Sequence, residues 1–370
     1  MSNSTDTARA PTNPLVTVLL PVFNGETHLA AAIDSVFAQT YANLELVIVD
    51  DGSTDSSAAI IAGYDDPRLI AARNPTNLGI VAALNQGLRL ASGELVARLD
   101  ADDIADRRRL EGQVDRFNRD PDIVALGTAI AYIDSAGKVV AAPRRLARRP
   151  AFLRWRLLRG TCLYHPTLML HRGRAADDAY YSPEFPHAED YELLLRLSER
   201  HVLDNLPESL VSLRLHAGSV SMRFRDEQRA SAARALIRHA SNLYGIAIPP
   251  GVAQALLDPR HLFSGVSGQG DSPVGTVLDL ERRFLSVETG LAPEDHDAVV
   301  RDVAFFLWKI IAIAASDWQG GAFLRLRLAT IAACASALLR RPVAALEALR
   351  APPAFRSADR RHGMQGPEAR

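Results

Sequence analysis

Cysteine is nearly absent: the chain has two, Cys162 and Cys334, among 370 residues. They lie far apart and lack a metal-type spacing, which argues against a disulfide framework and suits a reducing compartment. No stretch supplies the roughly 20 apolar residues that a membrane-spanning helix requires. Val303 to Ala315 is short and contains Lys309, and Ala322 to Leu339 carries Arg325 and Arg327, so a soluble chain is expected. Met1 to Asn13 has no apolar signal core, and 1–14 is expected to be a disordered lead. Charge of one sign is also lacking. The 42 Lys and Arg against 43 Asp and Glu leave a net charge of −1, which gives no sign of nucleic-acid binding. No Gly-x-Gly-x-x-Gly follows a strand-like run, which argues against a dehydrogenase. No internal repeat is visible.

What is there is an ordinary globular composition, 48% hydrophobic and 23% charged, long enough for two domains or one domain with an appendage. The first half alternates between two periods. Short apolar runs predict strands at Val16 to Leu20, Leu44 to Val49, Leu69 to Ala72, Glu94 to Leu99 and Ile123 to Leu126. Helical spacing predicts helices over Glu26 to Gln39, Thr54 to Ala62, Leu78 to Leu90 and Arg107 to Phe117, with Ser53 available to cap the second. This alternation indicates an α/β fold with a mainly parallel sheet. Such sheets bind ligands beyond the carboxyl ends of their strands. Three segments fall there: Pro21-Val22-Phe23-Asn24, Asp50-Asp51-Gly52-Ser53 and Asp100-Ala101-Asp102-Asp103.

Beyond Asp134 the pattern loosens. Asp134 to Gly137 predicts a hairpin turn. From Ser135 to Ala176 there is no Asp or Glu, while Arg144, Arg145, Arg148, Arg149, Arg154, Arg156 and Arg159 surround Phe152 and Trp155. A helix over Glu189 to Arg200 and a strand over Ser209 to Leu215 follow. After about Phe224 the chain becomes Ala- and Leu-rich with helical spacing. The expected division is a lead at 1–14, an α/β domain at 15–223, a helical C-terminal region at 224–350, and a disordered tail at 351–370. Gly265 to Gly275 is expected to be a loop within the helical part.

Four constellations carry chemistry, each beside a plainer reading. Asp100 and Asp102 can project into one crevice as hard oxygen ligands for Mg²⁺ or Mn²⁺, or form a solvated acidic turn in which Asp103 or Asp106 caps the next helix. Asp50 or Asp51 can accept the N3–H of uracil or thymine, or simply complement a helix N-terminus. Glu189-Asp190 opens a helix whose dipole would keep an acid ionised, as a general base must be; dipole complementation alone is equally served. Arg214-Leu215-His216 leads into Ser219 and Ser221. His216 can ligate a metal and Arg214 can face phosphate, or both can be ordinary surface residues.

Taken in order, Val18-Leu19-Leu20-Pro21-Val22-Phe23-Asn24-Gly25, Ile48-Val49-Asp50-Asp51-Gly52-Ser53-Thr54-Asp55, Ala97-Arg98-Leu99-Asp100-Ala101-Asp102-Asp103 and Ala188-Glu189-Asp190-Tyr191-Glu192-Leu193 form a series. That series resembles family-2 inverting glycosyltransferases with the GT-A fold, over roughly Leu15 to Ser221. The resemblance implies a Rossmann-like, mainly parallel sheet flanked by helices. It implies a nucleotide-sugar donor, a UDP-sugar before others, and transfer to a hydroxyl acceptor that is saccharide, lipid-linked or otherwise. Pro21, Phe23 and Asn24 would line the nucleoside pocket, Asp51 would bind the uracil edge, and Asn77 would approach the nucleotide. Asp100 would contact the ribose or the metal shell, and Asp102 would hold Mn²⁺ or Mg²⁺. Asp190 would be the catalytic base. Arg214, His216, Ser219 and Ser221 would form a closing element, with His216 at the metal or the phosphates.

One departure is visible: many relatives carry Arg-Asn where this chain has Leu84-Asn85, so one donor contact is missing or supplied elsewhere. The rival enzyme class, a nucleotidyltransferase, is disfavoured because the loop after the first strand has a single glycine. A non-catalytic nucleotide-sugar-binding protein of the same fold is the alternative, disfavoured because Glu189-Asp190 is intact. The segment from Arg144 to Arg159 has two readings: an interface for anionic lipid or a phosphorylated acceptor, with Phe152 and Trp155 dipping in, or a solvated Arg-rich helix face. The expected location is cytoplasmic, with a peripheral contact at the inner face of the cell membrane left open. The plainest reading of the helical C-terminal part is a cap on the first domain.

Overall fold

The computed structural model describes residues 12–141, 146–215, 224–261 and 273–316, with positions 331, 334, 335, 337 and 338. Strands β1 (Val16–Val22), β2 (Leu44–Asp50), β3 (Leu69–Arg73) and β4 (Leu95–Arg98) pair in parallel in the order β3-β2-β1-β4. Their crossovers are α1 (Leu29–Phe37), α2 (Ser57–Ala62) and α3 (Ile80–Leu90). After β5 (Ile104–Ala105) and α4 (Arg109–Arg119) come β6 (Ile123–Ile133) and β7 (Val139–Ala141). The turn between the last two is the expected hairpin, with Asp134 N donating to Lys138 O at 2.9 Å. Then follow α5 (Pro150–Leu157), β8 (Met169–His171), α6 (Arg172–Ala175), α7 (Glu189–Ser198) and β9 (Val202–Arg214). The sheet continues β4-β8-β6-β9-β5, and this half is mixed: β8 runs antiparallel to both neighbours, while β6 and β9 are parallel.

Several boundaries differ from the sequence expectation. β1 runs through Pro21 to Val22, although proline cannot donate to a ladder. Leu19 O accepts from Leu99 N, so position 21 faces the same side, beyond the last β4 pair at Leu19 and Arg98. β9 is much longer than Ser209 to Leu215. Its first half carries Asp204 and Asn205, which look unsuited to a buried strand. Asp204 is paired with Arg116, and Asn205 Nδ2 donates to Ala147 O and Cys162 O. The expected lead is held at its end: Asn43 Nδ2 donates to Asn13 O and Tyr41 Oη to Pro14 O.

Alternation along β1 and β2 sorts the core onto two faces. Val16, Val18, Leu20, Leu46 and Ile48 pack with Ile33 of α1 and Phe117 of α4. Leu19, Val47 and Val49 face Leu84 and Leu88 of α3. A Cβ on Gly87 would stand 2.0 Å from Leu19 Cδ1, so only glycine lets α3 approach this closely.

The second face does not end at the sheet. It continues through Trp155, Leu193 and Leu197 into α8 (Arg225–Tyr244), α9 (Pro250–Leu257), α10 (Pro273–Val287) and α11 (Pro293–Ser316). The C-terminal helices therefore share one core with the α/β part. Pro273 to Gly275, expected to end a loop, lie in α10; the loop at 265–272 and the tail at 351–370 fall outside the described residues. No helix among the described residues is long and apolar enough to cross a membrane.

Of the Arg-rich segment, Arg144 and Arg145 lie outside the described residues, Arg148 and Arg149 are exposed, and the part from Phe152 to Arg159 packs against the C-terminal helices. Trp155 is fully buried against Phe284, with ring centroids 5.4 Å apart, and Phe152 packs on the same core. Neither aromatic is placed to dip into a bilayer. Arg154 forks onto Glu288, Arg149 faces Glu294 and Asp295, and Arg156 and Arg159 both reach Asp302. Trp155 Nε1 donates to the same Asp302 carboxylate at 2.8 Å. Burial opposes the Asp302 charge, but Arg156 and Arg159 outweigh it and hold its pKa below the ordinary value. The segment is a clamp that fastens α10 and α11 to the sheet domain.

Asp302→Ala would strand two arginines and an indole N–H without their acceptor. A loss of about 3–5 kcal/mol is expected, the usual effect of removing one partner from a buried ion pair. Urea denaturation checks it; a loss within error of zero would show that the helices dock through apolar contact alone.

Candidate active site

The loops after β1 and β2 are laced together. Asn24, at φ 52°, donates its N–H to Ser53 Oγ at 2.9 Å and accepts from Thr54 N through Oδ1 at 2.9 Å. Gly25 N donates to Ser57 Oγ. Ser53 thus holds the neighbouring loop, and the cap of α2 expected from it is not made. Gly52 has φ 76°, and a Cβ on it would lie 2.5 Å from the carbonyl carbon of Thr76. This packing brings the 76–79 turn, with Asn77, against the end of β2. Phe23 and Leu78 are left 48% and 58% exposed, so both offer apolar surface at the strand ends. Pro21 is buried beneath them.

Asp51 is buried and already well supplied with donors. Its Oδ1 accepts from Asn74 Nδ2 at 2.7 Å and Leu78 N at 3.0 Å, and its Oδ2 accepts from Gly79 N at 2.8 Å. These bonds fix the carboxylate in one orientation at the foot of the crevice. Asn77 Oδ1 caps the same turn by accepting from Gly79 N.

The acidic turn after β4 sits beside this region, with Ala101 Cβ 3.6 Å from where a Cβ on Gly25 would be. Oxygens of Asp100, Asp102 and Asp103 all lie within 4.8 Å of one another. Asp100 is gripped by both terminal nitrogens of Arg98, itself buried. Burial, resisted by Arg98 but reinforced by Asp102, raises the Asp100 pKa. Asp103 is buried, and burial followed by Asp100 and Asp102 pushes its pKa well up. Its Oδ2 has no hydrogen-bond partner among the described residues. Three converging carboxylates, one with an unmatched buried oxygen, form a donor set that fits a hard divalent cation.

Glu189 and Asp190 open α7, at the N-terminus the sequence indicated. Asp190 is close enough to Asp100 for each charge to be felt by the other. Burial outweighs the donor Tyr191 N, 2.7 Å away, so the Asp190 pKa is raised. The helix terminus alone would have predicted a lowered one. A more basic carboxylate is a better proton acceptor.

Tyr181 is buried where the charges of Asp190, Glu189 and Asp100 all reach it, and its hydroxyl meets His165 Nε2 at 2.9 Å. Burial, then Arg98, pushes the His165 pKa well down. Asn85 clamps the backbone of Tyr181, donating to its carbonyl at 2.8 Å and accepting its N–H at 2.9 Å. Leu84, on the inner face of α3, is wholly buried, so at this position the chain offers the crevice no charge.

Arg214 ends β9 inside the site. Its guanidinium donates to backbone carbonyls: Nε to Asp102 O at 2.9 Å, Nη1 to Asp134 O at 2.9 Å and Ser135 O at 3.0 Å. The residue braces the acidic turn against the hairpin; it is not held open for phosphate. His216, Ser219 and Ser221 lie outside the described residues. Sequence reasoning did not single out Arg98, His165 or Tyr181, and read Asp103 only as a helix cap. The signal for Arg98 was available in its place two residues before Asp100, on the same strand face. Nothing local marks His165 or Tyr181.

Glu189 supplies a pH test. It is 7% exposed, and burial followed by Asp190 moves its pKa from 4.5 to about 7. Between those values the unfolded chain binds fewer protons than the folded one, so stability falls as pH rises through the window and is level above it. Relative to Glu189→Gln, the wild type should lose stability between about pH 4.5 and 7, by on the order of 3 kcal/mol. Urea denaturation across pH reads this; parallel curves would mean that Glu189 ionises at its ordinary value.

Comparison with known proteins agrees with this geometry. The family described as Glycosyl transferase family 2 matches residues 17–176. An uncharacterised glycosyltransferase of Haemophilus influenzae is 30% identical over 262 residues, spanning 67% of this chain and 81% of that one. The putative glycosyltransferase EpsE of Bacillus subtilis is 32% identical over 208 residues, spanning 54% of this chain and 73% of its own. Among solved structures, residues 1–349 of Staphylococcus aureus TarS in complex with UDP-GlcNAc align with a TM-score of 0.55 at 18% identity, covering 90% of this chain and 91% of that one. That likeness is one of fold, and it includes the helices after β9. Both the pairwise identity and the matched segment, which holds the strand-end loops and the acidic turn, lead to one assignment: the chain is a member of glycosyltransferase family 2.

Proposed function

We propose that the protein moves a sugar from a UDP-sugar to a hydroxyl acceptor in one displacement that inverts the anomeric carbon. The observation that carries this reading is the gathering of Asp100, Asp102 and Asp103 oxygens within 4.8 Å of one another, with Asp190 near enough for its charge to act on Asp100. Asp190 offers a base, and the three acids a seat for a cation and the diphosphate it accompanies. The same-fold TarS structure holds UDP-GlcNAc, which supports a UDP donor here.

In this reading Phe23 and Leu78 provide the apolar surface for the base and ribose, and Asp51 meets the uracil edge. Asp51 is held by three donors, so little reorganisation is needed when the base arrives. Asp100 and Asp102 would hold Mn²⁺ or Mg²⁺, which would supply charge neutralisation for the departing diphosphate. Arg98 opposes the burial that raises the Asp100 pKa and holds the carboxylate in one orientation. Asp190 accepts the proton of the acceptor hydroxyl, and its raised basicity suits that task. With one base and no second carboxylate given a nucleophilic role, a single displacement follows, and the product is inverted. The acceptor would lie over α7 and the hairpin after β6, in the assembly of a polysaccharide or other glycoconjugate.

Two variants test the assignment. Asp190→Asn should lower kcat by roughly 10²–10⁴-fold, the range for losing a general base, with UDP affinity retained. Asp102→Ala should abolish the extra thermal stabilisation that Mn²⁺ adds to UDP. Product anomeric configuration read by NMR checks inversion. An Asp190→Asn enzyme of wild-type rate, or a retained configuration, would overturn the mechanism.

A further inference from the structure

His187 stands three residues before Asp190, at the turn that leads the chain into α7. Its φ is 62°, in the left-handed region that glycine enters freely and a residue with a Cβ does not. Such a conformation persists only where its surroundings fix it. Here the imidazole lies flat on the ring of Phe224, with centroids 4.4 Å apart and planes 10° from parallel. Phe224 directly precedes α8. His187 Nε2 also stands 3.6 Å from Glu227 Oε2, but that carboxylate is mostly exposed and a pair of this kind contributes little. The residues before the turn run along the same helix. Glu184 is paired with Arg238, its carbonyl accepts from Arg234, and the Phe185 ring lies under the Arg238 guanidinium at 4.4 Å.

Residues 184–187 are thus held on α8, and the chain must turn sharply at 187 to start α7 at Glu189. Leu193, Leu194 and Leu197 keep the body of α7 in the core. The direction from which the chain enters its first turn is decided at His187. At an ordinary negative φ the segment from Ala188 to Asp190 would leave α8 along another path. We propose that His187 is a positioning residue for Asp190: its ring, stacked on Phe224, holds the left-handed turn that sets where the Asp190 carboxylate stands. This rests on the reading of Asp190 as the base. His187 touches no substrate in this role, and the position requires aromatic surface rather than imidazole chemistry. A base displaced by about 1 Å loses up to about 100-fold in rate, because proton transfer needs its oxygen within hydrogen-bond reach.

The alternative is that the stack only fastens α8. The full chain with Mn²⁺ is assayed for UDP release from UDP-GlcNAc, UDP-glucose and UDP-galactose, with water as the acceptor, well below the unfolding midpoint. His187→Ala should lower kcat at least about tenfold, with the donor KM unchanged. Phe224→Ala should do the same, and it carries the test should the first variant not fold. The two together should cost no more than either alone, since both remove one contact. His187→Phe, which keeps the stack, should restore most of the wild-type rate. Variants that melt earlier but keep the wild-type kcat make the stack a fastening of α8 and overturn the proposal alone. So does a His187→Phe protein as slow as His187→Ala. A wild type that releases UDP from none of these donors, or an Asp190→Asn protein of wild-type rate, overturns the reading of Asp190 as the base, and the proposal with it.

Discussion

Five carboxylates gathered at one end of a sheet repel one another, and the structure around them is arranged to tolerate that. Asp100, Asp102, Asp103, Glu189 and Asp190 come from two segments far apart in sequence, and burial raises the pKa of four of them. A fold selected for stability alone would not assemble such a group. Arg98 relieves part of the repulsion by sitting beneath Asp100 in the sheet interior.

Arginine does most of this work throughout the molecule. Only Lys138 and Lys309 among the 42 basic residues are lysines. The guanidinium is planar, permanently charged and able to grip two acceptors at once, so it survives burial better than an ammonium. Arg109, wholly interior, donates to Arg98 O and Gln113 Oε1 and so holds the strand carrying Arg98 against α4. Burial, then the charge of Arg98, lowers its pKa to about 9. Arg214 performs a similar service for the acidic turn and the hairpin. Each of these residues uses its charge to fix a backbone, and the site gains geometry from it.

The same chemistry joins the two parts of the chain. Arg154, Arg156 and Arg159 on one side and Glu288 and Asp302 on the other form a buried seam across a continuous apolar core. Because α7 carries Asp190 and packs against α8, the position of this acid depends on the helices beyond it. Arg238 of α8 reaches Glu192 in the first turn of α7, one turn from the ring of acids. The helical region is thus a support for the site as well as a cap on the sheet.

Much of this was legible in the sequence. Alternating periods of two and 3.6 located the first four strands and their helices, because a doubly covered sheet needs apolar runs and amphipathic helices whatever the partners. The same positions put the acids at strand ends, and four ordered motifs identified the family. What the sequence could not determine was where long polar side chains find their partners. Asp204 and Asn205 hid half of β9, since a buried polar residue looks like a loop until Arg116 and the Ala147 carbonyl are brought beside it. Trp155 and its arginines read equally as membrane surface or solvated face until Asp302 arrived from the far end of the chain. Asp103 looked like a cap until Arg214 N at the end of β9 was brought to it. Periodicity is local and is written into the chain; the neutralisation of a buried charge is a contact between distant residues, and only the tertiary structure decides it.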